Sequence, residues 1–300
     1  MQIKIGKNQR FQFKFKWIKL LPLLPLCKCQ LGNLSHLSVA QSIPVAFAKL
    51  LAMLMVLVTA PAPAADMVQT IAKIKPSVVG VGTFMKTRSP AFHLLGTGFA
   101  VADGLYVITN AHTYAKPLDS AKLEVPLVLV SGAGSAQPRE AQIMAIDKEH
   151  DLALLKISGD PLPVMTLGDS ENVREGQMLA YTGFPIGMVL GFHPATHRGM
   201  VAALVPAVLP GISSRQLTDK IVSRLRGSAY RVIQLDGTAY PGNSGSPLYD
   251  PQDGTVYGII NKVFVQAGRE NAISLPSGIT YAIPSRHILD LLRQEKISGF

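Results

Sequence analysis

Hydrophobic positions along the chain follow three patterns, and each predicts a different kind of element. Residues 50–58, LLAMLMVLV, form one short uninterrupted apolar run. From 77 to 157 and again from 177 to 283, short apolar runs are separated by Gly, Pro and Asp, which is typical of strands joined by turns. At both ends of this region, apolar residues recur at helical spacing. The pattern predicts an apolar leader followed by a β-rich domain with a short helix at each end.

The short apolar runs fall into two groups of six, separated by a connection at 158–170 that contains Gly and Pro. Short strands at this spacing indicate antiparallel barrels, so we expect an all-β fold of two six-stranded antiparallel β-barrels. The expected strands are 78–85, 98–101, 106–109, 126–130, 141–146 and 152–157 in the first barrel, and 177–183, 197–204, 231–235, 246–249, 255–265 and 278–283 in the second.

Two helices are expected to flank the barrels. An N-terminal helix over 66–75 would be capped by Asp66 and ended by Pro76. Its predicted buried face consists of Met67, Val68, Ile71 and Ile74. A C-terminal helix capped by Ser285 would bury Ile288, Leu291 and Leu292.

A third amphipathic segment, 213–227, interrupts the second group of strands. It begins with a cap signal, has apolar residues at 217, 221, 222 and 225, and ends in Gly227, so we predict an inserted helix. Two interpretations stay open: the helix covers the barrel core, or it forms a lid or subunit contact beside the cleft.

The positive charge of the chain is concentrated in its first part. The formal net charge is +10, but residues 1–65 hold eight basic residues and no acidic one. The remainder has 21 basic and 19 acidic residues, so its charge gives no reason to expect a nucleic-acid partner.

The apolar run is followed by TAPAPAA, which is typical of a secretory signal with an Ala-x-Ala cleavage site. We expect cleavage after Ala64, a leader over 1–64, and an exported β-rich domain over 65–300, with barrels at 65–160 and 161–300. An uncleaved leader would instead tether the chain to a membrane; after cleavage we expect no stable membrane insertion. Residues 1–42 are long for such a leader, and translation beginning near Val45 would explain them.

Both cysteines, Cys27 and Cys29, lie in the leader, so the mature part would contain no disulfide. Metal or lipid binding by this Cys-x-Cys pair has no further cysteine to support it.

Three motifs carry candidate chemistry. PGNSGSP at 241–247 places Ser244 between glycines just before an apolar strand, as for a nucleophile on a sharp turn. GTGFAVADGLYVITNAH ends at His112, and HDLALLK at 150–156 places Asp151 at the start of a strand. The order His, Asp, Ser is that of the chymotrypsin-type triad: Ser244 attacks, His112 transfers the proton, and Asp151 orients the imidazole. Asp147 is an alternative orienting residue, although Asp151 adjoins the apolar strand more directly.

Together with GNSGSPLYD, GTVYGII and GITYAIPSRHI, these motifs resemble trypsin-like serine proteases of the bacterial HtrA/Deg type, over roughly residues 66–296. Ser246 departs from that family, which usually has glycine there. NSGSP resembles the related glutamyl endopeptidases, but Ile260 stands where those enzymes have a carboxylate-binding histidine.

The resemblance implies an oxyanion hole at Gly242, Asn243 and Ser244, with the N–H groups of Gly242 and Ser244 as donors. It also implies a specificity pocket walled by 238–241, 259–263 and 278–281. The candidate pocket residues are Thr238, Ala239, Ile260, Asn261, Lys262 and Ile279. Uncharged Thr238 favours small aliphatic side chains before the cut bond over Arg or Lys, whereas Lys262 could attract an acidic one.

Other features bear on regulation and ligands. Asn243 replaces the aspartate that binds a new N-terminus in digestive proteases, so we expect no activation by cleavage. His193 and His197 have zinc-binding spacing, but Pro194 and the following strand pattern favour ordinary histidines. We expect neither metal nor cofactor. We expect no PDZ domain after the second barrel. The resemblance implies homo-oligomers, which are common among HtrA enzymes.

The leading hypothesis is an exported serine endopeptidase that hydrolyses unfolded or misfolded polypeptides through an acyl-enzyme. A dedicated processing protease for one partner is a second hypothesis. A non-catalytic, chaperone-like binding module on the same fold is a third.

Overall fold

The structure is a computed structural model that describes residues 67–131, 136–186, 191–207, 230–261 and 278–300. These residues all belong to one compact unit, Pro61–Phe300. The predicted leader, its cleavage site, the inserted helix at 213–227 and Lys262 lie outside the described residues.

The first half of this unit is a closed antiparallel barrel with the strand order β1-β2-β3-β6-β5-β4. Its strands are β1 Val78–Phe84, β2 Phe92–Val101, β3 Tyr106–Thr109, β4 Val125–Ser131, β5 Ala136–Asp147 and β6 Leu152–Ile157. The β2 strand begins at Phe92 and β5 begins at Ala136, so both are longer than their apolar runs predict. Pairing with β1 and β4 extends them beyond the residues whose own pattern signals a strand.

The second half is a closed barrel with the order β10-β11-β12-β9-β8-β7. Its strands are β7 Met178–Gly183, β8 Ala195–Pro206, β9 Arg231–Asp236, β10 Pro247–Tyr249, β11 Val256–Asn261 and β12 Ile279–Pro284. In the described ranges, each predicted strand has its counterpart. The predicted all-β fold of two six-stranded antiparallel barrels is confirmed.

Three hydrophobic clusters hold the unit together. One fills the first barrel with residues such as Val79, Val107 and Leu155, and another fills the second barrel around Tyr181, Leu235 and Ile260. The third lies between the barrels and contains Phe99, Ile108, Leu154, Phe184, Tyr249 and Ile259. Several strands are therefore buried on both faces, which explains why their sequences read as continuous apolar runs rather than alternating ones.

Two α-helices lie at the ends of the described chain, α1 Met67–Ile74 and α2 Ser285–Gln294. The buried residues of α1 are Thr70 and Ile74, whereas Val68 is 71% exposed, so the predicted face was wrong at that position. Thr70 is buried instead, and its hydroxyl donates to the carbonyl of Gln252.

The α2 helix buries Ile288, Leu291 and Leu292 as predicted, in the cluster between the barrels. The prediction that Ser285 caps it was wrong, because Pro284 occupies the N-cap position. The Ser285 hydroxyl instead donates to the Gly168 carbonyl at 2.6 Å and so binds α2 to the connection between the barrels. Among the described residues, neither helix is long and apolar enough to cross a bilayer.

His287 on α2 forms a stacked pair with His150, with ring centroids 3.9 Å apart, and Tyr230 contacts both rings edge-on. Only 6% of His287 is exposed. Burial lowers the pKa of His287 to about 4, assisted by His150 and Arg286 and opposed by Asp290 and Asp147. The ring is therefore neutral in the folded protein at neutral pH.

Ser246, at the entrance to β10, is fully buried, and its hydroxyl has no hydrogen-bond partner among the described residues. A Cβ at Gly183 would lie 2.0 Å from this hydroxyl and 3.0 Å from Asn243 Oδ1, so Gly183 provides the space that Ser246 occupies. A buried hydroxyl without a partner costs about 1–3 kcal/mol. Serine at this position is accommodated sterically but not by hydrogen bonding.

The pKa of His287 is about 4 in the folded protein and about 6.5 in the unfolded chain. Between these two pH values, the unfolded chain therefore binds a proton at His287 that the folded protein does not bind. The contribution of His287 to stability is complete above this window and is lost as the pH falls through it. Lowering the pH from 7 to about 4.5 should reduce the free energy of unfolding of both proteins. We expect this reduction to be about 1–2 kcal/mol smaller in His287→Phe than in the unsubstituted chain. Urea denaturation at both pH values measures this; equal losses in the two proteins would contradict it.

Replacing Ser246 with alanine removes the unpaired hydroxyl and keeps the Cβ. We expect Ser246→Ala to raise the free energy of unfolding by about 1 kcal/mol in urea denaturation at neutral pH. Ser285→Ala is the matched control, because it removes a buried serine hydroxyl that is hydrogen-bonded; it should lower stability by about 1 kcal/mol. Equal destabilisation by the two substitutions would show that the Ser246 hydroxyl is satisfied in solution.

Candidate active site

The loop 242–246 lies between the two barrels and carries the predicted nucleophile. Ser244 is 4% exposed and Asn243 is fully buried. Gly242 and Gly245 have φ values of +99° and +89°, which glycine adopts without strain. At Gly245 a Cβ would also lie 1.9 Å from the Thr97 carbonyl oxygen, so this glycine is required both by backbone conformation and by contact with the first barrel.

Three of the five backbone N–H groups in this loop donate hydrogen bonds within the described parts of the chain. Those of Asn243, Gly245 and Ser246 donate to the carbonyls of Tyr240, Ile260 and Asn243, at 2.9–3.0 Å. The N–H groups of Gly242 and Ser244 have no acceptor within the described parts of the chain. These are the two N–H groups predicted to donate in an oxyanion hole, whereas the Asn243 N–H is used within the turn.

The orientation of the Pro241–Gly242 peptide is fixed from its carbonyl side. The Pro241 carbonyl accepts a hydrogen bond of 2.6 Å from the N–H of Ile186, in the loop after β7. In a trans peptide the N–H points opposite to the carbonyl. The Gly242 N–H therefore faces away from Ile186, and the carbonyl of Pro241 cannot occupy the same side.

His112 and Asp151 meet through two direct hydrogen bonds. His112 Nδ1 lies 2.6 Å from Asp151 Oδ2, and the His112 backbone N–H donates to Asp151 Oδ1 at 2.7 Å. The histidine lies in a short 3-10 turn, Ala111–Tyr114, soon after β3, and the aspartate lies immediately before β6, the strand paired with β3. The adjacent strands thus bring the two side chains together, as their sequence positions predict.

Asp151 is held in a backbone conformation that is uncommon for aspartate, with φ of +53°. Its carbonyl accepts from the Ala111 N–H at 3.0 Å and from Asn110 Nδ2 at 3.1 Å. These bonds, together with those to its carboxylate, compensate for the strain of the left-handed conformation. The turn is therefore built so that the Asp151 carboxylate faces His112.

Asp147, the alternative orienting residue, has a different partner. Its carboxylate accepts from the backbone N–H groups of Glu149 and His150, and its Oδ2 lies 2.6 Å from His150 Nδ1. Burial opposes ionisation, but the hydrogen bonds from His150 lower the pKa of Asp147 overall. Asp147 therefore stabilises the turn that precedes Asp151, while Asp151 is the aspartate in contact with His112.

Asn261, predicted to line the specificity pocket, lies at the end of β11 and donates from Nδ2 to Asp151 Oδ2 at 2.8 Å. Both barrels thus contribute donors to the same carboxylate. Sequence reasoning missed this role, because the contact links residues 110 positions apart and an asparagine near a pocket carries no distinguishing pattern.

The loop carrying Ser244 and the turn carrying His112 converge over Gly96. A Cβ at Gly96 would lie 2.8 Å from the Ser244 carbonyl oxygen and 3.5 Å from Thr113 Oγ1. No hydrogen bond joins the His112 ring to the Ser244 hydroxyl in the described residues. Catalytic hydrogen bonds between nucleophile and base are often long without substrate and shorten only in the complex.

The structure places the remaining candidate pocket residues in different environments. Tyr181 donates its hydroxyl to the Thr238 carbonyl at 2.7 Å, and Ile260 is part of the second-barrel core. Ile279 is 41% exposed. Its neighbour Thr280 is buried, donates to the Gly237 carbonyl at 2.6 Å and accepts from the Ala239 N–H at 2.9 Å. Strand alternation along β12 could have indicated Thr280, since residues 279 and 280 must face opposite ways.

His197 lies within β8 and stacks on Tyr181 with ring centroids 5.2 Å apart. Burial lowers its pKa, and its Nε2 is buried without a partner among the described residues. Across the described ranges, no three His, Cys, Asp or Glu side chains are grouped closely enough to hold a metal ion.

Comparisons with known proteins agree with this arrangement. Residues 96–259 match the trypsin-like peptidase domain family, and this span includes His112, Asp151 and Ser244. The chain is 32% identical over 205 residues to a probable periplasmic serine endoprotease DegP-like of Halomonas elongata, covering 68% of this chain and 36% of that protein. It is 31% identical over 234 residues to the serine protease HTRA1A of Danio rerio, covering 77% and 40%. The chain thus spans little more than a third of the length of the first of these relatives.

Among solved structures, the HtrA-type protease AlgW with a tripeptide is 25% identical, with a TM-score of 0.53, over 76% of this chain and 62% of that one. A serine-to-alanine variant of AlgW, also with a tripeptide, gives a TM-score of 0.52 over the same shares. The two barrels, the family match and these relatives lead to one conclusion: the chain belongs to the trypsin-like peptidases and is an HtrA/DegP-type serine protease homologue.

Proposed function

We propose that this protein is a serine endopeptidase in which Ser244 is the nucleophile, His112 the general base and acid, and Asp151 the residue that orients and stabilises the histidine. The observation that carries the proposal is the double hydrogen bond from His112 to the Asp151 carboxylate, through the ring and through the backbone. It fixes the ring with Nδ1 on the carboxylate, which leaves Nε2 for the serine proton.

The reaction follows from these positions. The Ser244 oxygen attacks the peptide carbonyl carbon while His112 accepts the hydroxyl proton, giving a tetrahedral oxyanion. His112 then protonates the leaving amine as the C–N bond breaks, and the acyl group stays on Ser244. Water, activated by His112, hydrolyses this ester and releases the carboxylic acid. Asp151 stabilises the imidazolium at both stages, and Asn261 donates a further hydrogen bond to the carboxylate.

The N–H groups of Gly242 and Ser244 are the proposed oxyanion donors. Their lack of acceptors among the described residues supports this role, as does the anchoring of the Pro241 carbonyl by Ile186 on the opposite side. Two backbone donors aimed at a developing oxyanion need no reorganisation during the reaction, and each contributes about 10²–10³-fold to the rate in related chemistry.

Polypeptides are the proposed substrates, and unfolded or misfolded chains are the proposed substrate class. This rests on the HtrA-type relatives and on the AlgW structures, which carry short peptides. The absence of charge at Thr238 favours a small aliphatic residue before the cut bond. Export to the periplasm or beyond is proposed from the leader and from the DegP-like relatives, which are named periplasmic.

The nucleophile is tested by incubating the full chain with a fluorophosphonate probe and with unfolded casein. We expect labelling and cleavage in the unsubstituted protein, and loss of both in Ser244→Ala. Ser246→Ala is the matched control, because it removes the neighbouring serine hydroxyl outside the proposed machinery and should keep both activities. Labelling that survives Ser244→Ala would contradict the assignment.

The same experiment separates the alternatives. Labelling without casein cleavage would favour a processing protease with one partner, and absence of both would favour a binding module.

Asp151→Asn should lower kcat by about 10⁴-fold, because an amide favours the wrong histidine tautomer.

Mass spectrometry of the casein fragments tests the pocket. We expect small aliphatic residues such as Val and Ala before the cut bonds, because Thr238 brings no charge to the pocket and Arg or Lys would lack a counter-ion. A predominance of Glu and Asp at these positions would instead point to attraction by Lys262, and a predominance of Arg and Lys would contradict the proposed pocket.

A further inference from the structure

Two buried threonines of the first barrel contact the proposed nucleophile loop or each other, and the mechanism above gives neither a role. Thr97 on β2 and Thr109 on β3 are both fully buried. Thr109 lies three residues before His112, and Thr97 faces the loop 242–246 of the other barrel. From their contacts we propose that Thr97 and Thr109 form a hydrogen-bonded bridge that positions the oxyanion-hole loop relative to His112; the inference rests on the proposed function.

Thr97 holds the loop at two points. Its backbone N–H donates to the Ser244 carbonyl at 2.8 Å, and its hydroxyl donates to the Gly242 carbonyl at 2.7 Å. The same hydroxyl accepts from the Phe184 N–H at 3.0 Å, in the segment that follows β7. One residue therefore connects three parts of the chain at the barrel interface.

Thr109 extends the bridge toward the histidine. Its hydroxyl donates to the Thr97 carbonyl at 2.7 Å, in addition to the pairing of β2 with β3. From the strand that delivers His112, the contacts thus run through Thr109 and Thr97 to the carbonyls of Gly242 and Ser244. The proposed base and the proposed nucleophile are placed relative to each other by these hydrogen bonds, without any direct bond between their side chains.

The carbonyls of Gly242 and Ser244, which Thr97 contacts, belong to the peptides next to those that carry the proposed oxyanion donors. Thr97 fixes the 242–243 and 244–245 peptides, whereas the proposed oxyanion donors belong to the 241–242 and 243–244 peptides. The latter are held by Ile186 and Ser246, whose N–H groups donate to the carbonyls of Pro241 and Asn243. All four peptides between residues 241 and 245 are therefore held by hydrogen bonds. Along the loop, a peptide held by Thr97 follows each peptide that carries a proposed oxyanion donor.

Close packing leaves this arrangement little freedom. A Cβ at Gly245 would lie 1.9 Å from the Thr97 carbonyl oxygen and 2.7 Å from Thr109 Oγ1. The loop backbone is thus in direct contact with both threonines. Loss of the Thr97 hydroxyl leaves the Gly242 carbonyl without its donor, and loss of the Thr109 hydroxyl leaves the Thr97 carbonyl without one. In either case the backbone around the loop must move for the carbonyl to find a new partner. Such movement would displace the oxyanion donors, since catalysis is sensitive to shifts of about 1 Å.

The test compares Thr97→Val and Thr109→Val, which keep the side-chain shape and remove the hydroxyl, in the full chain acting on a peptide substrate. We expect kcat to fall about 10- to 100-fold, below the loss for a whole oxyanion donor, with KM changed less than about 3-fold because only transition-state stabilisation is lost. Affinity for a peptide aldehyde, which forms an oxyanion-like adduct, should fall in parallel with kcat. Thr97→Ser and Thr109→Ser should restore kcat to within about 3-fold of the unsubstituted protein.

Thr182→Val is the matched control. Thr182 is also fully buried, and its hydroxyl contacts the hydroxyls of Thr196 and Tyr249 at 2.8 Å in the second barrel. We expect this variant to lose stability as the others do but to keep kcat. If Thr97→Val and Thr109→Val reduce kcat no more than Thr182→Val, or if the serine variants fail to restore it, the bridge is overturned.

Two outcomes distinguish this inference from the proposed function. An unsubstituted protein without probe labelling or hydrolysis contradicts the proposed function itself. An active protein whose threonine variants retain kcat contradicts only the bridge. Should Thr97→Val fail to fold, Thr109→Val decides alone, because it leaves every Thr97 contact to the loop in place and removes only the link to the histidine strand.

Discussion

Residues 243–246 are buried between the two barrels, and Gly242 before them is half-buried. Buried backbone N–H and C=O groups need hydrogen-bond partners. Both barrels supply those partners: Thr97 from one side, Tyr240, Ile260 and the loop itself from the other. Two N–H groups, those of Gly242 and Ser244, are left over within the described residues. A buried backbone donor without an acceptor is unfavourable, and such groups persist in proteins where they serve a ligand or a reaction. The two N–H groups without acceptors are therefore the same groups that are proposed to bind the oxyanion.

Both barrels also contribute residues to the proposed acid–base part of the site. Adjacent strands β3 and β6 deliver His112 and Asp151, so the pair depends on the register of the first barrel alone. Asn261 then reaches the Asp151 carboxylate from the second barrel. The hydrophobic cluster between the barrels fixes their separation, and the hydrogen bonds at Asp151 and Thr97 fix their register. A change that loosened the cluster would be expected to affect activity before it unfolded either barrel.

Much of the fold could be predicted from the sequence because both barrels consist of short apolar runs bounded by turn residues. The strands that exceeded prediction, β2 and β5, are extended by pairing with neighbours, which a single run does not reveal. The triad candidates could be proposed from the sequence because each adjoins a strand end, and their catalytic roles stay a prediction. The contacts of Asn261 and Thr97 could not be predicted, since they join residues far apart in the sequence through ordinary polar side chains. The misplaced helix cap at Ser285 has the same origin: a tertiary partner, Gly168, replaced the local one.

A crystal structure of the full chain with a peptide boronate would show directly whether the loop 242–246 forms an oxyanion hole beside Ser244. We predict a bond from boron to Ser244 Oγ, with one boronate oxygen within about 3 Å of the N–H groups of Gly242 and Ser244, and His112 still hydrogen-bonded to Asp151. That result would show that the loop presents both donors to the reacting centre. A boronate bound elsewhere, or a Pro241 carbonyl turned into the position of the oxyanion, would contradict the proposed roles of Ser244 and of the two N–H groups.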